Sequence, residues 1–62
     1  MNAEQLKKIR RDLKLNQQAL ADILGITRTW LSLMENDKKP ILPMTELAVW
    51  CLFYERYPEN TT

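Results

Sequence analysis

Leu6, Ile9 and Leu13 recur at i, i+3 and i+7 in a polar background, "MNAEQLKKIRRDLK", which is the spacing of one buried helical stripe. Asn2 stands where an N-cap belongs, and Gln5, three residues on, completes a capping box. Arg10 lies inside this stripe, next to Ile9, where a charge needs a partner. A second apolar run, Leu20, Ala21, Ile23 and Leu24, follows Asn16 as its cap and stops at Gly25. A third, Leu31 and Met34, follows Thr27 as its cap. "NDKKPILP" is a loop punctuated by Pro40 and Pro43, and Pro43 suits the first turn of a fourth helix that ends before Pro58. Residues 59–62 read as a frayed tail. No stretch alternates with period two. The pattern predicts one all-α domain over residues 1–62, with helices at about 2–14, 17–24, 28–35 and 43–57.

Gly25 is the only glycine in the chain. Glycine adopts the left-handed conformation without Cβ strain and commonly sits just past a helix C-terminus. Two helices of about eight residues, joined by a short turn that begins with this glycine, make a helix-turn-helix. Helices that short are marginal in isolation and must be held by packing. Ala21, four residues before the glycine, is small, as the close approach of the two helices requires.

The fourth segment carries two apolar stripes. Met44, Leu47, Ala48, Cys51 and Tyr54 form one, and Trp50, Phe53 and Tyr57 form the other. A helix apolar nearly all round is buried on more than one side. Trp50, Phe53 and Tyr57 are expected to form a two-fold homodimer interface, aromatic-rich as interfaces tend to be. The competing expectation is that these aromatics fold back on the first helix and complete the monomer's own core.

Composition narrows the function. At 62 residues the chain buries only about 60% of its unfolded surface and needs tight helix packing or a partner. Cys51 is the lone cysteine and there is no histidine, so no internal disulfide, zinc site or other metal site is expected. There is no glycine-rich phosphate loop and no convincing carboxylate cluster, so neither catalytic residues nor a cofactor are expected, and no small-molecule ligand. No apolar run is long enough to span a membrane, and the polar N-terminus is no signal peptide, so the expected location is cytoplasmic. Charge is unevenly distributed. Residues 1–39 hold eight basic side chains against five acidic ones, and residues 40–62 hold one against three. Such a split suggests one side that faces a polyanion.

Gln17, Leu20-Ala21, Leu24-Gly25-Ile26-Thr27, Leu31, Met34 and Glu35-Asn36 together resemble the phage repressor and Cro-like (XRE-type) helix-turn-helix proteins, over roughly residues 5–40. Two features depart from that pattern. Asp37 stands where the family usually has glycine after the "EN" pair, and there are four helices where five are frequent. The resemblance implies a small four-helix domain of the lambda-repressor-like type that binds double-stranded DNA, with its third helix in the major groove. Stepping about 100° per residue, Leu31 and Met34 face inward while Arg28, Thr29, Ser32 and Leu33 share the opposite arc. Those four are the expected base readers: Arg28 for guanine, Thr29 and Ser32 for either base type, Leu33 for a thymine methyl. Trp30 falls on the flank, as a packing residue or as a stacking platform. The resemblance also implies phosphate contacts at Gln17 and Asn36, to which Asn16, Lys38 and Lys39 are added from their positions. It implies an ion pair of Arg10 with Glu35.

The expected function is therefore a sequence-specific repressor, a homodimer on an inverted-repeat operator, acting by promoter occlusion and regulating its own gene in some contexts. Phage regulator, restriction-modification controller, antitoxin and small-operon regulator all fit. The alternative is a protein-interaction module, an antitoxin-type helix-turn-helix whose aromatic fourth helix docks on another protein.

Overall fold

The described residues form four helices: α1 (Ala3–Asp12), α2 (Gln17–Leu24), α3 (Arg28–Glu35) and α4 (Pro43–Arg56). They come from a computed structural model that describes residues 1–57. Pro58, before which the last helix was expected to end, and the expected tail at 59–62 lie outside the described residues.

The helix starts follow local chemistry. The Asn2 side chain accepts from the Gln5 amide at 2.8 Å while the Gln5 side chain accepts from the Asn2 amide at 3.0 Å, a reciprocal capping box. Asn16 accepts from the Ala19 amide at 2.7 Å, and Thr27 from the Trp30 amide at 3.1 Å. Only α4 lacks a side-chain cap: Leu42 holds the cap position and Pro43 follows.

The first three helices end in one and the same device. Leu15 N–H donates to Arg10 O and Lys14 N–H to Arg11 O. Ile26 N–H donates to Ala21 O and Gly25 N–H to Asp22 O. Lys38 N–H donates to Leu33 O and Asp37 N–H to Met34 O. Each set is a Schellman pair of bonds around a left-handed residue. Those residues are Lys14 (φ 62°), Gly25 (φ 73°) and Asp37 (φ 61°). The first helix was expected to run to about residue 14; it stops at Asp12 because Lys14 turns left-handed and Leu13 caps it. At the other end of the chain, Tyr57 caps α4 rather than extending it.

The core takes Leu6, Ile9 and Leu13 from α1 and its cap, Leu20 and Ala21 from α2, Leu31 and Met34 from α3, and Val49 from α4. Fully burying side chains of the Leu, Val or Met type contributes about 1.5–3 kcal/mol each. Val49 is the one fully buried residue of α4 and belongs to neither of the stripes expected there.

Trp50, Phe53 and Tyr57, expected at a dimer interface, are half-buried and pack against the chain's own core, as the competing expectation had it. The physical reason lies at the end of α1, whose last carbonyls lack helical partners. Tyr57 Oη–H donates to Asp12 O at 2.8 Å, and an Arg56 Nη2–H donates to Leu13 O at 3.0 Å. The rings also hold one another, with Trp50–Phe53 edge-on at 5.9 Å and Phe53–Tyr57 at 5.0 Å. The residues left outside are those of the other stripe: Met44, Leu47, Cys51 and Tyr54 are exposed.

At the N-terminal side, the Met1 amine pairs with Glu46 Oε1 at 2.7 Å, and Trp50 Nε1–H donates to Glu46 Oε2 at 3.1 Å. Those two hydrogen bonds, the amine's first, hold the Glu46 carboxyl below its ordinary value of 4.5 against a smaller opposing effect of burial. No helix among the described residues is long and apolar enough to cross a membrane.

Candidate nucleic-acid interface

α3 is built so that one arc is locked in and the other is offered outward. Leu31, Met34 and Glu35 are buried, whereas Arg28 and Thr29 in its first turn are exposed. Thr27 occupies the Trp30 amide, so the Arg28 and Thr29 amides remain at the positive end of the helix. The Arg28 guanidinium makes no ion pair among the described residues. It is a long cationic side chain beside free amide donors, an arrangement suited to an anionic, acceptor-rich surface.

Ser32 and Leu33, one turn further on, are half-buried. The Asn36 side-chain amide donates to Ser32 O at 2.9 Å and to Ser32 Oγ at 3.3 Å. Ser32 thus keeps its hydroxyl proton to donate, while the Asn36 amide is folded back on its own helix. Leu33 is the apolar member of the arc.

The far end of α3 is fastened by charge. Arg10 Nε–H donates to Glu35 Oε2 at 2.7 Å and its Nη2–H to Glu35 Oε1 at 3.1 Å, a bidentate pair. A third guanidinium donor, on Nη1, reaches Leu15 O at 3.1 Å. Gln17 Nε2–H adds a bond to Glu35 Oε1 at 3.1 Å. Glu35 is 2% exposed, so its carboxylate depends on these three donors. The cluster ties α1, the start of α2 and the end of α3 to one buried carboxylate. Arg10 and Glu35, expected to meet because of the resemblance, stand together here. Gln17, expected at a phosphate, directs one of its amide hydrogens inward instead, which leaves the other for an outside acceptor. No pattern in the sequence announced that third member.

Asn16, Lys38 and Lys39 are exposed. Asn16 uses its carbonyl oxygen on the Ala19 amide, which leaves its side-chain amide as a donor. Lys39 Nζ lies 5.4 Å from the centroid of the Trp30 ring, within cation–π range. Trp30 is thereby a shelf for the loop after α3, in keeping with a packing role. On α1, Lys7 pairs with Glu4 at 3.6 Å and Lys8 with Asp12 at 3.0 Å, so part of the basic surplus of residues 1–39 is neutralised locally. No group of His, Cys, Asp or Glu able to hold a metal ion occurs among the described residues.

A family model described as a helix-turn-helix domain matches residues 3–59, nearly the whole chain. No curated protein and no solved structure matches it.

Proposed function

Because the chain belongs to the helix-turn-helix domain family, of the XRE type that includes Cro-like proteins, we propose that it is a sequence-specific repressor that reads double-stranded DNA as a homodimer. Family membership makes it a DNA-binding regulator. The finer reading rests chiefly on one observation: α3 buries Leu31, Met34 and Glu35 while its first turn presents Arg28 and Thr29 with free amides. In this reading Arg28 pairs with guanine O6 and N7, Thr29 and Ser32 bond base edges, and Leu33 meets a thymine methyl. Asn16, Gln17, Asn36, Lys38 and Lys39 meet phosphates and set register. The Asn36 amide leaves Ser32 to do so, and Lys39 reaches the backbone from its seat on Trp30. A dimer carries two such helices to half-sites centred about 10–10.5 base pairs apart, and occupancy of a promoter excludes polymerase. The protein works in the cytoplasm, without cofactor or small-molecule ligand.

The test is selection of bound duplexes from a random library, followed by titration of the enriched site at two salt concentrations. Arg28→Ala is expected to cost about 1–3 kcal/mol per contacted pair and to relax preference at one position in each half-site. Lys38→Ala is expected to weaken all sequences alike and lower the salt slope by about one unit per lost contact. Enrichment of no sequence, or an Arg28→Ala protein with intact base preference, overturns the proposal and favours the partner-binding alternative.

A further inference from the structure

α4 has a face that its own fold leaves uncovered. Met44 is 84% exposed, Leu47 64% and Tyr54 40%, and Ala48 and Cys51 between them are exposed as well. Positions 44, 47, 48, 51 and 54 follow one another at helical spacings of three and four, so they form a continuous stripe about three turns long. Its only charged neighbour on the same arc is Glu55, at the C-terminal end. Ile23 of α2 extends the apolar surface, sharing a groove with Leu52 and Glu55. The largest apolar patch a typical monomer exposes, roughly a few hundred Å², is often a functional surface.

We infer that this stripe is where a second copy of the chain binds, with the two α4 helices antiparallel about a two-fold axis level with position 49. The inference rests on the homodimer part of the reading above and moves its interface from Trp50, Phe53 and Tyr57 to the adjoining, exposed face of the helix. Three features select a second copy and this orientation. The stripe is self-complementary about its midpoint: Met44 falls against the partner's Tyr54, and Leu47 against the partner's Cys51. Small side chains at the crossing, Ala48 and Cys51, let the helices approach closely. The charges also agree. α4 has no side-chain N-cap, so its first-turn amides of Met44 and Thr45 lack a capping acceptor. An antiparallel pair sets Glu55 beside that positive end of the partner's helix, whereas a parallel pair sets Glu55 against the partner's Glu55.

The experiment is sedimentation of the whole chain without DNA, together with short-spacer bis-maleimide cross-linking. The wild type is expected to be dimeric at tens of micromolar, and Leu47→Glu and Met44→Glu to be monomeric with unchanged helicity. Glu55→Gln is expected to weaken the dimer roughly three- to thirtyfold, since the helix-end contact counts twice by symmetry. In a Cys51→Ser background, a mixture of Met44→Cys and Tyr54→Cys proteins is expected to cross-link between the two variants, and neither variant with itself. Should Leu47→Glu lose helicity, Met44→Glu decides, because that side chain is the more exposed. A dimer untouched by Met44→Glu overturns the inference and leaves the homodimer reading standing. A wild-type monomer at these concentrations overturns both. Cross-linking of the Met44→Cys protein to itself overturns the antiparallel arrangement. DNA selection is read separately, so its failure is not confused with any of these results.

Discussion

Removing one end of the buried ion pair is among the severest single changes the structure offers. In Arg10→Met the Glu35 carboxylate, 2% exposed, keeps only the Gln17 amide of its three donors. Leaving such a charge uncompensated costs about 3–5 kcal/mol. A 62-residue domain has on the order of 3–9 kcal/mol of total stability at the usual 0.05–0.15 kcal/mol per residue. The single variant is therefore expected to lose about half or more of that stability, and sulfate or a stabilising osmolyte keeps its transition measurable. Glu35→Met leaves the guanidinium with Leu15 O and a path to water, since the Arg10 side chain is 15% exposed, so its loss is smaller. The double variant removes both charges and is expected to recover most of the larger loss. The coupling energy from the cycle is expected to be about 2–3 kcal/mol. The assay is urea unfolding followed by circular dichroism, with all four proteins in the same osmolyte. Losses that add to within about 0.5 kcal/mol would falsify the claim that the pair acts as a unit.

The other expectations concern helix ends and charge. Gly25→Ala should cost about 1–2 kcal/mol by denaturant unfolding, and purely through φ, because a Cβ there meets nothing within 4 Å. Lys14→Gly and Asp37→Gly should each gain about 0.5–1 kcal/mol, the left-handed strain relieved exceeding the added chain entropy; a loss at either site would contradict the strain assigned to it. Tyr57→Phe should cost about 0.5–1.5 kcal/mol by freeing Asp12 O, and a charged residue at Phe53 should unfold the protein rather than merely split a dimer. Glu46 has a folded pKa below its ordinary 4.5, so its contribution is present above that value and fades as pH falls through the folded pKa. The difference in melting temperature between wild type and Glu46→Gln should accordingly narrow as pH falls below about 4.5, and a gap that does not narrow would refute it.

Most of the fold could be read from Asn2, Asn16, Thr27, Gly25 and the stripes they bracket, because caps and periodicity are local. Asp37 was marked as the position where the family usually has glycine, but nothing marked Lys14, since lysine carries no preference for left-handed backbone. α4 was the hard case. With apolar residues on nearly every side, its sequence could not say which stripe faces inward, and that choice depends on carbonyls forty-odd residues away at the end of α1. In the site, Arg28 and Thr29 follow directly from helical phase. The inward turn of the Gln17 amide and the Lys39–Trp30 stack depend on tertiary placement, for which the chain has no local marker.

The clasp of Arg56 and Tyr57 on the end of α1 also orders events in time. The ion-pair cluster joins residues 18 and 25 positions apart, whereas the clasp joins residues 43 and 45 apart. Closing the longer loop costs only about 0.5 kcal/mol more, but it returns few bonds, and those lie at the chain's edge. α1–α3 are thus expected to form the early, slow-exchanging unit, with α4 docking last and releasing first. In amide exchange, α4 is expected to open at lower free energy than Leu20, Ala21 or Leu31. A second copy seated on α4 would shut that motion down, so protection of its amides should rise with protein concentration while that of α2 hardly changes.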